Sequence, residues 1–163
     1  MKAVMAMEDR RERHTNYLKL EFPSRAENIG VARLAVAAFA SRLPFTVSDI
    51  QHDLRVAVSE TVTNAVVHGY PKRAGRVVVE AWVDSGRLVV VVQDWGKGFD
   101  PAAVAEPDPE GEHMGIGLQI VRACMDKVEI ESAPGRGTRV RMEKAPGAGS
   151  DGEPATAPRQ AGS

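Results

Sequence analysis

Two short valine-rich runs separated by a tight turn constrain the fold of this chain most. The runs are 77–83 and 88–93, and Ser85-Gly86 lies between them. Short runs of β-branched residues form strands, and a connection of this length containing glycine is typical of a hairpin. This part of the chain therefore predicts a pair of antiparallel strands.

The segments around this hairpin indicate the fold class. They are a strand at 17–22, a helix from Ser24 to near Pro44, a helix from Ser48 to Gly69, a helix at 116–125, and a final hairpin of strands 128–131 and 138–142. Strands joined by short turns pair antiparallel, and helices cover the apolar face of such a sheet. The order predicts an α+β fold, a two-layer sandwich with a mixed, mostly antiparallel sheet and helices on one face.

Capping motifs predict where two of these helices begin. Ser24 is followed three residues later by Glu27, and Ser48 is followed three residues later by Gln51. In a capping box of this spacing, each of the two side chains bonds the backbone N–H of the other residue. We therefore expect Ser24 and Ser48 to cap their helices.

Composition separates one folded unit from two tails. Residues 1–15 are charged and lack an apolar period, and residues 145–163 are mostly Ala, Pro, Gly, Ser and Glu. Such segments bury too little apolar surface to order themselves, so both are expected to be flexible tails. The folded unit is expected at 16–144. Within it, 99–112 is rich in acidic residues and proline and is expected to form a long loop.

Composition also excludes some classes of partner. A net charge of -1 gives no overall field that would recruit nucleic acid, and no apolar run reaches the ~18 residues of a membrane span. The chain has one cysteine, Cys124, and its N-terminus is charged where a signal peptide needs an apolar stretch. We expect a cytoplasmic protein with no direct nucleic-acid or membrane contact. Trp82 and Trp95 are expected to be packing residues.

Glu60, Asn64 and His68 form the first candidate site. Their four-residue spacing gives one polar stripe on a helix, because ~100° per residue drifts only ~40° per step. Such a stripe is often only a solvated helix face. It can also be functional, since an amide oxygen can coordinate Mg²⁺ alongside ATP phosphates and a carboxylate can accept a proton from an attacking hydroxyl.

Asp94, Gly96 and Gly98 form the second candidate site, directly after a strand of valines. A buried Asp needs a hydrogen-bond donor, and the amino group of adenine is one. The glycines would let the backbone turn tightly and approach a flat ligand. An ordinary glycine turn at the end of a strand is the alternative.

Two weaker glycine motifs follow. Gly115 and Gly117 open a helix, where free N–H groups and the helix dipole favour phosphate, although a plain glycine-flanked helix start looks the same. Thr138 follows a Gly-Arg-Gly turn and could bond an adenine ring from the side opposite Asp94, although most such turns are only turns. The chain has neither a dinucleotide fingerprint nor a Gly-Lys-Ser/Thr phosphate loop.

These four motifs, in this order, resemble the N box, G1 box, G2 box and terminal Gly-Thr of the GHKL ATPase superfamily (Bergerat fold), which includes histidine kinases and gyrase B. Residues 17–143 are similar to one branch of it, the anti-sigma factor serine kinases, the family of the sporulation anti-sigma F factor. The resemblance is carried by residues 58–70, which read VSETVTNAVVHGY, and by Met125-Asp126-Lys127-Val128.

The resemblance implies a Mg²⁺-ATP site. Asn64 would bind Mg²⁺, and Glu60 would act as the base on a serine hydroxyl. Asp94 would hold the adenine amino group, and residues 99–113 would form a lid over ATP. The full set of implied nucleotide-binding residues is Asn64, His68, Asp94, Gly96, Gly98, His113, Gly115, Gly117 and Thr138. His113 stands where the family usually has a basic residue.

The resemblance also implies partners. A homodimer would hold an RNA polymerase sigma factor and phosphorylate a serine of a STAS-type anti-anti-sigma protein. A nucleotide-gated binding module that transfers nothing is the main alternative, because the lid is short and contains no Ser or Thr. A histidine kinase catalytic domain would need a phospho-accepting histidine on an upstream helical hairpin. An ATPase of gyrase or heat-shock chaperone type would need further domains.

Overall fold

The computed structural model describes residues 16–104 and 114–147. Residues 1–15, most of the tail expected at 145–163, and the larger part of the expected lid, with His113, lie outside the described residues. No helix in the two described ranges is both long and apolar enough to cross a membrane.

Five strands form one antiparallel sheet. They are β1 (Tyr17–Pro23), β2 (Arg76–Asp84), β3 (Arg87–Asp94), β4 (Lys127–Ala133) and β5 (Gly137–Lys144). Their spatial order is β1-β2-β3-β5-β4, and all neighbouring pairs are antiparallel. The hairpin predicted between β2 and β3 is confirmed. Its turn residues Ser85 and Gly86 have φ values of 51° and 76°, as a two-residue type I′ turn requires.

Helices pack on one face of this sheet. They are α1 (Glu27–Ala40), α2, the short α3 (Pro101–Val104) and α4 (Met114–Cys124), where α2 comprises the consecutive stretches Asp49–Leu54, Arg55–Thr63 and Asn64–Gly69. The first and last stretches of α2 are π-helical, a wider winding that is frequent at functional sites. The predicted α+β two-layer fold is confirmed, and the sheet is antiparallel throughout.

Alternation along the strands decides which side chains face the helices. Val77, Val79 and Ala81 of β2 are fully buried in the main core, which α1, α2 and α4 share with the sheet. A second, smaller cluster consists of Trp82, Val89 and Val91, with Tyr17 packed against it. These residues occupy the alternate strand positions, and they therefore point to the other face of the sheet.

The two tryptophans differ in their surroundings. Trp82 is 4% exposed and packs in the second cluster, as expected. Trp95 is 43% exposed, so the expectation that it is a packing residue is wrong. β3 ends at Asp94, and Trp95 therefore begins a surface loop and is no longer part of the sheet.

Both predicted capping boxes are wrong. The hydroxyl of Ser24 instead accepts the N–H of Gly75 at 2.8 Å, and α1 begins without a side-chain cap. Ser48 also caps nothing. The reciprocal pair lies between Thr46 and Asp49: the N–H of Asp49 donates to Thr46 Oγ1, and the N–H of Thr46 donates to Asp49 Oδ2, both at 3.0 Å. The observed box thus starts two residues before the predicted one.

Candidate functional site

The polar stripe of α2 runs beside a cavity. Asn64 and His68, in its last π-helical stretch, line this cavity. Val58 and Val62, on the other side of the helix, are fully buried in the core. The apolar side of α2 therefore fixes the helix and directs two of the three stripe residues toward the cavity.

Gly117 lets α4 pack directly against the third stripe residue, Glu60. A Cβ on Gly117 would lie 2.9 Å from Oε2 of Glu60 and 3.6 Å from Oδ1 of Asn64. A larger residue at this position would compete with the Glu60 carboxylate for space. The structure brings Glu60, Asn64 and Gly117 together, and their chemical roles stay predictions.

The cavity lies where α2, β3, β5 and α4 meet. Five of the residues predicted for nucleotide binding line it: Asn64, His68, Asp94, Gly98 and Thr138. Its apolar wall comprises Ala65, Val92, Phe99, Leu118 and Val140. The structure also describes four other predicted site residues, and they do not line the cavity. These are Glu60, Gly96, Gly115 and Gly117.

Asp94 is the buried acid of the cavity. Asp94 is only 4% exposed, and the backbone N–H of Gly96 donates a hydrogen bond to its Oδ1 at 2.9 Å. Burial raises the pKa of the Asp94 carboxyl, while the backbone N–H groups of Gly96 and Thr138 lower it. A buried carboxylate is stabilised by each further donor it meets, and the exocyclic amino group of a purine is such a donor.

Thr138 lies beside Asp94, because the two residues are paired on the neighbouring strands β5 and β3. The side from which Thr138 would bond an adenine ring stays a prediction. Oγ1 of Thr138 lies 2.8 Å from Oγ of Ser132. Oγ of Ser132 also accepts a hydrogen bond from the backbone N–H of Phe99 at 2.9 Å. Sequence reasoning missed Ser132; its only signal is the alternation of β4, which turns it toward the helix layer.

Gly96 and Gly98 are needed where segments of the protein approach each other. A Cβ on Gly96 would collide with the carbonyl group of Gly69 at the end of α2, and a Cβ on Gly98 would collide with the carbonyl group of Ala133 at the end of β4. Gly98 also has a φ of 60°, which favours glycine. These contacts give both glycines a structural role, and their predicted role in the approach of a flat ligand stays a prediction. They hold the loop after Asp94 against α2 and against the β4–β5 hairpin.

Gly115 lines a second cavity, of about 510 Å³. Arg122 and Gln119 of α4 also line it, and Phe99 and Leu118 line both cavities. Gly115 and Gly117 therefore face different neighbours, although both are predicted to touch phosphates. His113, the third residue predicted at this end of the site, lies outside the described residues.

The residues of the first cavity fit an adenine nucleotide with Mg²⁺. Within the part of the chain that the structure describes, Nδ2 of Asn64 is buried and has no hydrogen-bond partner, a costly state that a ligand can relieve. Asp94 offers an acceptor for an amino group. In residues 16–104 and 114–147, no three His, Cys, Asp or Glu side chains cluster to hold a metal by themselves. A Mg²⁺ ion here would therefore need phosphate oxygens as ligands besides the amide oxygen of Asn64.

Comparison with known proteins defines the class to which this fold and site belong. The family model described as "Histidine kinase-like ATPase domain" matches residues 22–144. This range includes β2 to β5, the last two residues of β1 and every described residue that lines the cavity. The chain therefore belongs to the histidine kinase-like ATPase domain family.

Its curated relatives carry a more particular name. The protein named "Anti-sigma F factor" in Thermoanaerobacter sp. (strain X514) is 38% identical over 136 residues, which are 80% of this chain and 94% of the relative. The protein of the same name in Clostridium kluyveri (strain ATCC 8527 / DSM 555 / NBRC 12016 / NCIMB 10680 / K1) is also 38% identical over 136 residues, with 95% of its length covered. The similarity to anti-sigma F factors thus spans nearly their whole length.

A solved structure supports the fold. This chain is similar to the RsbU and RsbW domains of Rv1364c from Mycobacterium tuberculosis, with a TM-score of 0.60 and 23% sequence identity. The alignment covers 80% of this chain and 32% of that structure's chain. At this identity the likeness concerns the fold alone.

Proposed function

We propose that the chain is an anti-sigma factor and a serine protein kinase. It binds Mg²⁺-ATP, sequesters an RNA polymerase sigma factor in the cytoplasm, and phosphorylates a serine of a STAS-type anti-anti-sigma protein. One observation carries the nucleotide part of the proposal: Asn64, Asp94 and Thr138 converge on one cavity. The similarity to anti-sigma F factors over 94% of the length of one relative supports the regulatory part.

In this proposal the base end of the nucleotide is held at the end of the sheet where β3 ends and β5 begins. Asp94 accepts a hydrogen bond from the adenine amino group, and Thr138, held by Ser132, bonds the ring beside it. Leu118 and Phe99 supply the apolar surfaces around the ring. The purine is thus recognised by one buried charge-assisted hydrogen bond and by apolar packing.

The phosphate end would lie along the polar stripe of α2. Asn64 contributes its amide oxygen to Mg²⁺, and the bound metal neutralises charge on the phosphates. Glu60 accepts the proton of the serine hydroxyl that attacks the γ-phosphoryl group. In-line transfer of this kind depends on positioning and charge neutralisation more than on covalent help from the protein.

A homodimer that holds the sigma factor completes the proposal, as it does for the family that the sequence resembles. One observation favours a narrower function, a nucleotide-gated binding module that transfers nothing. The Glu60 carboxylate lies against Gly117, and Glu60 does not line the cavity. A kinase would need this carboxylate to reach the serine hydroxyl when the nucleotide and the partner are bound.

Phosphorylation of the partner separates the two functions. The purified full chain is incubated with γ-labelled ATP, Mg²⁺ and a STAS-domain protein from the same host, and sigma factors are added in a parallel binding assay. Label on a serine of the STAS protein supports the kinase. Retention of a sigma factor with ATP but without label supports the binding module. If the chain takes up no adenine nucleotide at all, both functions are excluded.

A further inference from the structure

A groove of about 1110 Å³ adjoins the candidate nucleotide cavity. It lies between the loop after α2 and the loop after β3, and Gly69 lines both the groove and the cavity. Its charged lining residues are Lys72, Arg73 and Lys97, and its exposed aromatic residue is Trp95. Among the residues that the structure describes, the lining contains no acidic residue, so this lining is cationic although the whole chain has a net charge of -1.

The positive charges of the three basic side chains in the groove are not neutralised by acidic side chains within the described parts of the chain. Lys72, Arg73 and Lys97 form no ion pair there. The neighbouring Arg76 differs, because its guanidinium group is paired with Glu21 at 2.7 Å. The groove therefore presents a local positive field that an anionic partner can neutralise.

The aromatic side of the groove is already held in position. The guanidinium group of Arg76 lies 4.5 Å from the centroid of the Trp95 ring. The backbone N–H of Trp95 donates to the Tyr70 hydroxyl at 2.8 Å. The Tyr70 hydroxyl in turn donates to the carbonyl oxygen of Arg76 at 2.7 Å. An exposed tryptophan fixed in this way loses little freedom on binding, and tryptophan is enriched among the residues that dominate protein interfaces.

We propose that this groove binds an acidic segment of a partner protein. Its carboxylates pair with Lys72, Arg73 and Lys97, and an apolar side chain beside them packs on Trp95. A nucleic-acid strand fits less well, because binding of single strands uses several aromatic rings in succession and the described lining exposes only one. The proposal does not depend on nucleotide binding or on phosphoryl transfer.

Tryptophan fluorescence provides the test. The full chain, without nucleotide, is titrated with a peptide of glutamates around one central leucine. Trp95 is exposed and reports on the groove, whereas Trp82 is buried in the second cluster and serves as background. We expect a saturable change that weakens as the salt concentration rises and that disappears in Trp95→Phe. The absence of a saturable change in the native chain would overturn the proposal.

Charge reversal locates the binding. The double variant Lys72→Glu/Arg73→Glu is expected to raise the Kd for the peptide at least about tenfold. The double variant Arg42→Glu/Arg87→Glu has the same net charge at exposed positions outside the groove and is expected to leave the Kd unchanged. Equal weakening in both variants would overturn the proposal, as would tighter binding of an oligothymidylate of the same charge. Circular dichroism establishes that each variant is folded.

Discussion

Asp94 and Thr138 are register partners on the neighbouring strands β3 and β5, so a buried carboxylate and a hydroxyl share one end of the cavity. Both side chains are positioned by the sheet itself, and Ser132 on β4 holds the hydroxyl of Thr138 from the far side at 2.8 Å. Three neighbouring strands thus support the polar end of the cavity, which is therefore preorganised for a ligand that offers a hydrogen-bond donor.

Replacing Asp94 with asparagine tests the adenine assignment. Asp94→Asn is expected to weaken binding of Mg²⁺-ATP about 10- to 100-fold, because a hydrogen bond to a charged group contributes ~1.5–3 kcal/mol. Titration calorimetry measures the affinity. Asp84→Asn, an exposed position at the end of β2, is the matched control and should bind like the native chain. Unchanged affinity in Asp94→Asn would refute the assignment of Asp94 to the adenine amino group.

The same substitution tests the raised pKa of Asp94. Burial lifts this pKa above its ordinary value of 3.8, so the folded chain holds the proton more tightly than the unfolded chain. The resulting contribution to stability is complete below pH 3.8 and is lost as the pH rises through the raised pKa. Asp94→Asn removes this titration. Its free energy of unfolding should therefore rise relative to that of the native chain as the pH rises above 3.8 and through the raised pKa.

Urea unfolding of both proteins at matched pH values, without nucleotide, measures this difference. Comparing the two proteins at each pH cancels the other titrating groups that they share. A difference in unfolding free energy that stays constant over the range would contradict the raised pKa of the Asp94 carboxyl in the folded chain.

Local sequence signals predicted much of the fold. The two residues Ser85-Gly86 define their turn through their own φ values, and the valine-rich runs beside them predict the two strands. The four-residue spacing of Asn64 and His68 likewise predicts that both lie on one side of α2, and both line the cavity. In each case the residues that decide the geometry are neighbours in the sequence.

Some of the errors arise where the deciding partner is distant in the sequence. Ser24 has the spacing of a helix cap, but its hydroxyl bonds Gly75, 51 residues away. The position of Thr138 beside Asp94 depends on the order of the strands, which the local pattern does not encode. Ser132 joins the site only because β4 and β5 pair at the edge of the sheet. Such contacts require the assembled sheet.

Replacing Glu60 with glutamine tests the proposed base. Glu60→Gln is expected to slow phosphorylation of the STAS partner by ~10²- to 10⁴-fold, which is the usual contribution of a general base. The affinity for Mg²⁺-ATP should stay nearly unchanged, because Glu60 does not line the cavity. Labelled-phosphate transfer gives the rate and calorimetry gives the affinity. Glu27→Gln, at the exposed start of α1, is the control. A full rate in Glu60→Gln would exclude this carboxylate as the base.

Alanine substitutions at Gly98 and Gly135 distinguish the free-energy cost of backbone strain from that of a steric collision. Their φ values are 60° and 75°, so alanine strains the backbone at both positions, by ~1–2 kcal/mol. A Cβ on Gly98 would also collide with the carbonyl group of Ala133, whereas nothing lies within 4 Å of a Cβ on Gly135. Gly98→Ala should therefore lower the free energy of unfolding by about 3 kcal/mol or more, and Gly135→Ala by only ~1–2 kcal/mol, as measured in urea.

ATP affinity should fall only in Gly98→Ala, because this glycine holds the loop after Asp94 against the β4–β5 hairpin. Equal losses of stability in the two variants would mean that the loop moves away from the hairpin at little cost, and that this contact does not position Asp94.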